Sequence, residues 1–381
     1  MKILYFDNAA GTPIASEVLK AMGEFDAKFF ANPNSLHLLG QESRVYLDNS
    51  RKIIADFIHA QSNELIFTSG ATEANNLAIK GIIEPFCKKG RSVPHVIISQ
   101  FEHDSVYNIV KKLESQKIIE VTYIAPAVNK TIQIQDVVKA IRKNTVLVSI
   151  IFISNEIGAT TDIRSLGKYL YNLRRKIYFH TDATQAIKYH NCNVQKLGVD
   201  LMSFSAHKIS GPKGIGALYI KSGTPIASQI IGGSQENGFR AGTQNVTGAV
   251  GFAKAVQLLG SLENREKNSK KVLKYKNLIL AELTKYKKII INSLSGESFA
   301  PDIVSFSIKN QDQERLLYQF DRLGICVSSG SACRSGAVVP SHIIRALYPK
   351  IDRIATIRVT LSKYTTSQEV ANLIRAIKKI L

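Results

Sequence analysis

The chain has 381 residues, 45% hydrophobic and 21% charged, the balance of an ordinary globular protein. That length exceeds one small core and points to more than one packed unit. No apolar run reaches the ~18 residues a membrane span needs, and the opening Ile3-Leu4-Tyr5-Phe6-Asp7 lacks the long apolar stretch of a secretory signal.

A cytoplasmic protein is therefore expected. The four cysteines, Cys87, Cys192, Cys326 and Cys333, form no CxxC pair, so free thiols are expected and no metal site. Cys326 sits in the apolar run Leu323–Val327 and reads as a buried strand residue. The net charge of +20 comes from 50 Lys+Arg against 30 Asp+Glu. These cations are dispersed, without a basic run, which argues against direct nucleic-acid binding and for solvated helix faces. An acidic protein partner or tRNA is the remaining reading.

In chain order, a helical pattern covers 41–60, with Val45, Ile53, Ile54, Phe57 and Ile58 able to share a face. Strand-like runs follow at Glu64–Thr68, His95–Ser99, Ile118–Ile124, Val146–Ile151, Ile177–Thr181, Leu201–Ser205 and Ala217–Ile220, with helical segments such as Asp104–Glu114 between several of them. Such alternation indicates an α/β unit with a mostly parallel sheet. Its ligands should sit at the carboxyl ends of the strands. Beyond about residue 255 the texture changes to a long charged helix over 267–287, short strands at 288–292, 303–308, 325–329 and 356–361, a helix near 311–323 and a last helix from Ser367. This reads as a smaller α+β unit joined by the first ~15 residues.

Four segments carry chemistry. Thr68-Ser69-Gly70-Ala71-Thr72-Glu73-Ala74-Asn75-Asn76 leaves a strand and opens a helix, where small residues let backbone amides approach an anion. A plain helix cap at Ser69 or Thr72 is the alternative. Ser203-Phe204-Ser205-Ala206-His207-Lys208 puts a lysine at a strand end, where desolvation makes an amine nucleophilic. Most lysines are merely solvated. His180-Thr181-Asp182-Ala183-Thr184-Gln185 puts a carboxylate at another strand end, either matched to a cationic ligand or capping a helix. Ser328–Gly336 surrounds Cys333 with Ser, Gly and Ala, which suits an exposed, mobile loop. Arg334 there could support a thiolate, and an incidental thiol is the bland reading.

Together with Tyr5-Phe6-Asp7-Asn8-Ala9-Ala10, Asn32-Pro33-Asn34-Ser35-Leu36-His37, Glu102-His103, Asn155-Glu156-Ile157-Gly158, Arg240-Ala241-Gly242-Thr243 and Ile357-Arg358, these segments make the chain resemble, nearly end to end, the cysteine desulfurases of the NifS/IscS type, class V aminotransferases of the fold-type-I pyridoxal-phosphate enzymes. The resemblance implies a large, mostly parallel seven-stranded sheet domain over 15–255. It also implies a smaller α+β domain from 1–14 and 256–381 that carries the Cys333 loop.

It further implies that pyridoxal 5'-phosphate is the cofactor and that Lys208 binds it covalently. Asp182 would pair with the ring nitrogen and Gln185 with the phenolic oxygen. His103 would stack on the ring and serve as acid or base. Thr72, Ser205 and His207 would hold the phosphate, with Ala71 a further cofactor contact. Thr243 would reach the cofactor of a neighbouring subunit, making a homodimer. Asn155, also a cofactor contact, and Arg358 would bind the carboxylate of L-cysteine, a bidentate task suited to a guanidinium. Cys333 would take the sulfur as a persulfide for an acceptor protein. Enzymes of this kind feed iron–sulfur assembly, the expectation here, as well as tRNA thiolation and DNA phosphorothioation.

Gly11, Ser210, Asn237 and Lys363 depart from the family's usual residues without removing a named catalytic group. A selenocysteine lyase, a related enzyme of the same fold, and a non-catalytic sulfur-carrier or scaffold are the rival readings. The Cys333 context argues against an aminotransferase. The intact Lys208, Asp182 and His103 set argues against a scaffold.

Overall fold

The computed structural model describes residues 3–87, 92–330, 340–351 and 353–381. The expectation of a mobile loop at Cys333 falls in 331–339, outside the described residues. Among the described residues no helix is long and apolar enough to cross a membrane.

The strands are β1 Leu4–Tyr5, β2 Leu65–Thr68, β3 His95–Ser99, β4 Glu120–Ile124, β5 Thr145–Ser149, β6 Tyr178–Asp182, β7 Leu201–Ser205, β8 Gly216–Ile220, β9 Ile289–Ile291, β10 Ile303–Lys309, β11 Ile325–Cys326 and β12 Ile354–Thr360. Seven of them form one sheet in the order β2-β8-β7-β6-β5-β3-β4. Every neighbouring pair is parallel except the two made by β8. The class read from the alternating pattern is the class observed.

The sheet is apolar on both faces because helices cover both. Residues alternate between two cores with the period of two that a pleated strand imposes. Leu65, Phe67, Ile97, Val148, Ala217 and Tyr219 enter one core, and Ile66, Val96, Ile98, Leu147, Leu218 and Ile220 enter the other. A third core gathers Leu4, Phe6, Val272, Ile279, Phe306, Phe320, Ile357 and Leu373 around β9, β10 and β12. Phe6 follows β1, which pairs in parallel with β11.

The helix of the 41–60 pattern runs over Leu38–Phe57 and buries Ser43, Leu47, Ser50, Arg51, Ile54 and Ala55. Val45 is not on that face and is 53% exposed. Gly40, Ser43, Ser50 and Ala55 are small members of that stripe beside Leu47 and Ile54, a signal that a search for large apolar residues passes over. Cys326 is in a strand as expected, but half-buried, because β11 makes only a two-stranded sheet with β1.

Two departures from the family pattern have a backbone context. Asn237 (φ 57°) and Ser210 (φ 64°) are left-handed, a conformation in which a short polar side chain such as asparagine is the best tolerated non-glycine.

Asn237 follows Glu236, the buried anchor of its loop. Arg51 grips Glu236 through Nη1–Oε2 at 2.6 Å and Nη2–Oε1 at 2.7 Å, and the amide of Phe67 donates to Oε2 at 2.8 Å. This fork ties the 38–57 helix, β2 and the 236–243 loop together. Glu236→Ala leaves Arg51 buried without its counter-charge and is expected to cost about 3–5 kcal/mol, read from the urea midpoint. An unchanged midpoint would mean the pair is incidental.

Candidate active site

The carboxyl ends of β6 and β7, the turn before β8 and the segment after β1 converge on a cavity of about 440 Å³ lined by Thr72, His103, Asp182, Gln185, His207 and Lys208 among others. A smaller cavity of about 90 Å³ adjoins it, since both are lined by Ala9, Ala10, His103, Asn155 and Lys208, and Glu156 and Arg358 complete the smaller one.

Asp182 ends β6 and is 4% exposed. Its Oδ1 accepts from the Thr184 amide at 2.9 Å and its Oδ2 from Asn75 Nδ2 at 2.8 Å. Beneath it, His180 lies between Ser149 Oγ at 2.8 Å and Ser203 Oγ at 3.0 Å. Burial pushes His180 down to about 4, so this ring is neutral filling between strands.

Lys208 closes the short helical turn 206–208 that follows β7. Its Nζ donates to the carbonyls of Ala9 at 2.6 Å and Ala10 at 2.7 Å, so the segment after β1 reaches over the large sheet and meets this amine.

The helix Ala71–Ile83 starts with no side-chain cap, leaving its first amides for a ligand. Ser205 Oγ pairs with His207 Nδ1 at 2.8 Å. Burial, then Lys208 and Lys213, push His207 down to about 4. β8 starts directly below this turn, and a Cβ on Gly216 would stand 2.7 Å from the Gly70 backbone. Only glycine fits there.

Arg358 is 2% exposed. It donates from Nη2 to Asp7 Oδ1 at 2.8 Å and from Nη1 to the carbonyls of Asn155 at 2.9 Å and Gly330 at 3.1 Å.

The residues fit pyridoxal phosphate. Asp182 is a buried anion for the ring nitrogen, the uncapped helix end with Ser205 and His207 offers phosphate donors, and Lys208 lines the same cavity. Gln185 Oε1, Asn155 Oδ1 and Arg358 Nε are buried polar atoms with no hydrogen-bond partner among the described residues, as atoms that await a polar ligand would be.

Thr243 is exposed and lines neither cavity of its own chain. Cys333 lies outside the described residues. The sequence reading missed three residues of the site. Asn75 and Ser105 link Asp182 to His103, and Glu102 is fully buried beside it. The Gly70–Asn76 and Glu102-His103 motifs contained Asn75 and Glu102, but nothing in a linear reading gives them a partner.

The Aminotransferase class-V family profile matches residues 4–373. The cysteine desulfurase IscS of Dictyoglomus turgidum is 39% identical over 99% of this chain and 94% of its own length. The chain belongs to the class-V aminotransferases and, within them, to the pyridoxal-phosphate-dependent cysteine desulfurases. Among solved structures, a NifS-like protein superposes with a TM-score of 0.90 at 32% identity, covering 100% of this chain and 99% of that one. SspA in complex with cysteine superposes with a TM-score of 0.81 at 32% identity, covering 95% of this chain and 100% of that one. The resemblance read from the motifs is thus the relationship found, and the seven-stranded, mostly parallel sheet is the one it implied.

Glu102 gives this desulfurase a pH signature. Its Oε1 accepts from Ser99 Oγ at 2.6 Å and the Ile151 amide at 2.7 Å. Burial pushes its carboxyl from 4.5 up to about 8. The folded protein keeps this proton to higher pH than the unfolded chain does. The contribution to stability is therefore complete below the unfolded value and is lost as pH rises through about 8. Glu102→Gln is expected to remove that slope, so the variant gains on its parent between pH 6 and pH 8.5, by up to about 1.4 kcal/mol per pH unit. A pH-independent difference in urea midpoints would contradict it.

Proposed function

We propose that this desulfurase takes L-cysteine at Arg358 and Asn155 and transfers its sulfur to Cys333 as a persulfide, with Lys208, Asp182 and His103 serving the cofactor. The observation that carries this reading is the meeting of a lysine amine, a buried carboxylate and a buried guanidinium around two adjoining cavities. When bound, pyridoxal phosphate supplies the electron sink for the carbanion at the substrate's α-carbon.

The chain's own residues do the rest. Asp182 faces the ring nitrogen and favours its protonated form. Gln185 serves the phenolic oxygen. Ala71 and Thr72, at the start of the 71–83 helix, hold the phosphate with Ser205 and His207. Arg358 and Asn155 orient the substrate carboxylate, and Lys208 Nζ takes the α-proton. The Cys333 thiolate attacks the substrate sulfur, so a carbon–sulfur bond breaks as a sulfur–sulfur bond forms. The exchange balances: Cys333–SH and L-cysteine give Cys333–S–SH and L-alanine.

Thr243 serves the cofactor of a second copy. Supporting this, Thr243 is exposed in its own chain, and Phe30, Leu36, Leu38 and Ile231 are 80%, 90%, 70% and 90% exposed, large side chains that a homodimer would cover. The persulfide passes to a cytoplasmic acceptor protein, and iron–sulfur cluster assembly is the pathway we assign.

Cys333→Ser is expected to abolish persulfide formation and sulfide release while keeping the visible absorbance of bound cofactor. Turnover at the parental rate in that variant would overturn the role given to Cys333.

A further inference from the structure

His103 caps the helix Asp104–Ser115, and its Nδ1 accepts from the Ser105 backbone amide at 3.1 Å. A backbone N–H can only donate, so Nδ1 is the acceptor and the proton of the neutral ring is on Nε2. The Ser105 hydroxyl lies 2.8 Å from the same nitrogen. Because Nδ1 carries no proton, the hydroxyl is the donor in that contact, and its oxygen is left to accept from Asn75 Nδ2 at 2.8 Å.

The same Asn75 nitrogen donates to Asp182 Oδ2 at 2.8 Å. A carboxylate only accepts, which places the amide nitrogen of Asn75, rather than its oxygen, on this side. Asn75 is completely buried, and its Oδ1 has no partner among the described residues. Its contacts are thus spent on Asp182 and Ser105.

We propose that Asn75 and Ser105 are positioning residues that hold His103 as the Nε2–H tautomer while Asn75 orients the Asp182 carboxylate. This deepens the functional reading above and rests on it for what the ring faces. With Nδ1 occupied by two donors, His103 offers the site a hydrogen bond from Nε2 and is a poor proton acceptor. The proton at the substrate's α-carbon then falls to Lys208 alone.

The surroundings agree. Burial is the largest influence on His103 and lowers its pKa, as do Lys208 at the end of β7 and Arg358 on β12. Asp182 on β6 and Asp104 on its own helix act the other way without reversing the result.

The test begins on apoprotein labelled with 15N-histidine, with His103→Gln identifying the signal. The parent is expected to show an unprotonated Nδ1 and a protonated Nε2 at pH 7.5, with the ring titrating below the ordinary ~6.5. Ser105→Ala and Asn75→Ala are each expected to move the ring's titration toward the ordinary ~6.5, and Ser105→Thr to restore parental behaviour. A protonated Nδ1 in the parent would overturn the proposal, as would unchanged titration in both Ser105→Ala and Asn75→Ala. If the parent developed no visible absorbance with pyridoxal phosphate, the functional reading would fall, and the apoprotein nitrogen shifts would still decide the tautomer.

Discussion

The site is organised around one uncomfortable group, a carboxylate held out of water at the end of a buried strand. Asp182 sits on the most protected part of the sheet, with β5 and β7 on either side and helices over both faces. Taking a charge into such a place is costly unless hydrogen bonds and an opposite charge meet it. Two hydrogen bonds are present, from Thr184 and Asn75. A pyridinium is the opposite charge that suits a cavity of this size and shape. The neutral His180 between two serines gives the strand a polar but uncharged footing.

The opposite end of the cavity has the opposite character. Lys208 and Lys213 line it and add to the burial that keeps His207 neutral, the helix at 71–83 starts there without a side-chain cap, and Arg358 lines the adjoining cavity. An anionic cofactor and an anionic carboxylate are the ligands such a field favours. Part of the +20 charge of the chain therefore has a local purpose. The remainder is spread over solvated helix faces, such as that of the Leu262–Leu283 helix.

Much of this was legible in the sequence because the signals are local. Each strand of the large sheet is a short apolar run between polar breaks, and the residues at the strand ends stand beside recognisable neighbours, as in Ser205-Ala206-His207-Lys208. The unread features are those that need two distant positions at once. Arg51 and Glu236 look like ordinary charged residues until the fold brings them 2.6 Å apart. Asn75 and Ser105 are 30 positions apart, and neither carries a signal of its own. Val45 is apolar and fits the helical pattern, whereas the helix packs through Ser43, Leu47 and Ser50. Packing of small residues leaves almost no trace in a hydrophobic pattern.

All of this chemistry requires the amine of Lys208 to be the group that holds the cofactor. The most direct measurement is to load the protein with pyridoxal phosphate, reduce it with borohydride, digest it and locate the pyridoxyl group by mass spectrometry. The label is expected on the peptide containing Lys208, with Lys208→Ala unlabelled. A label on Lys213 or another lysine, with Lys208 unmodified, would contradict it.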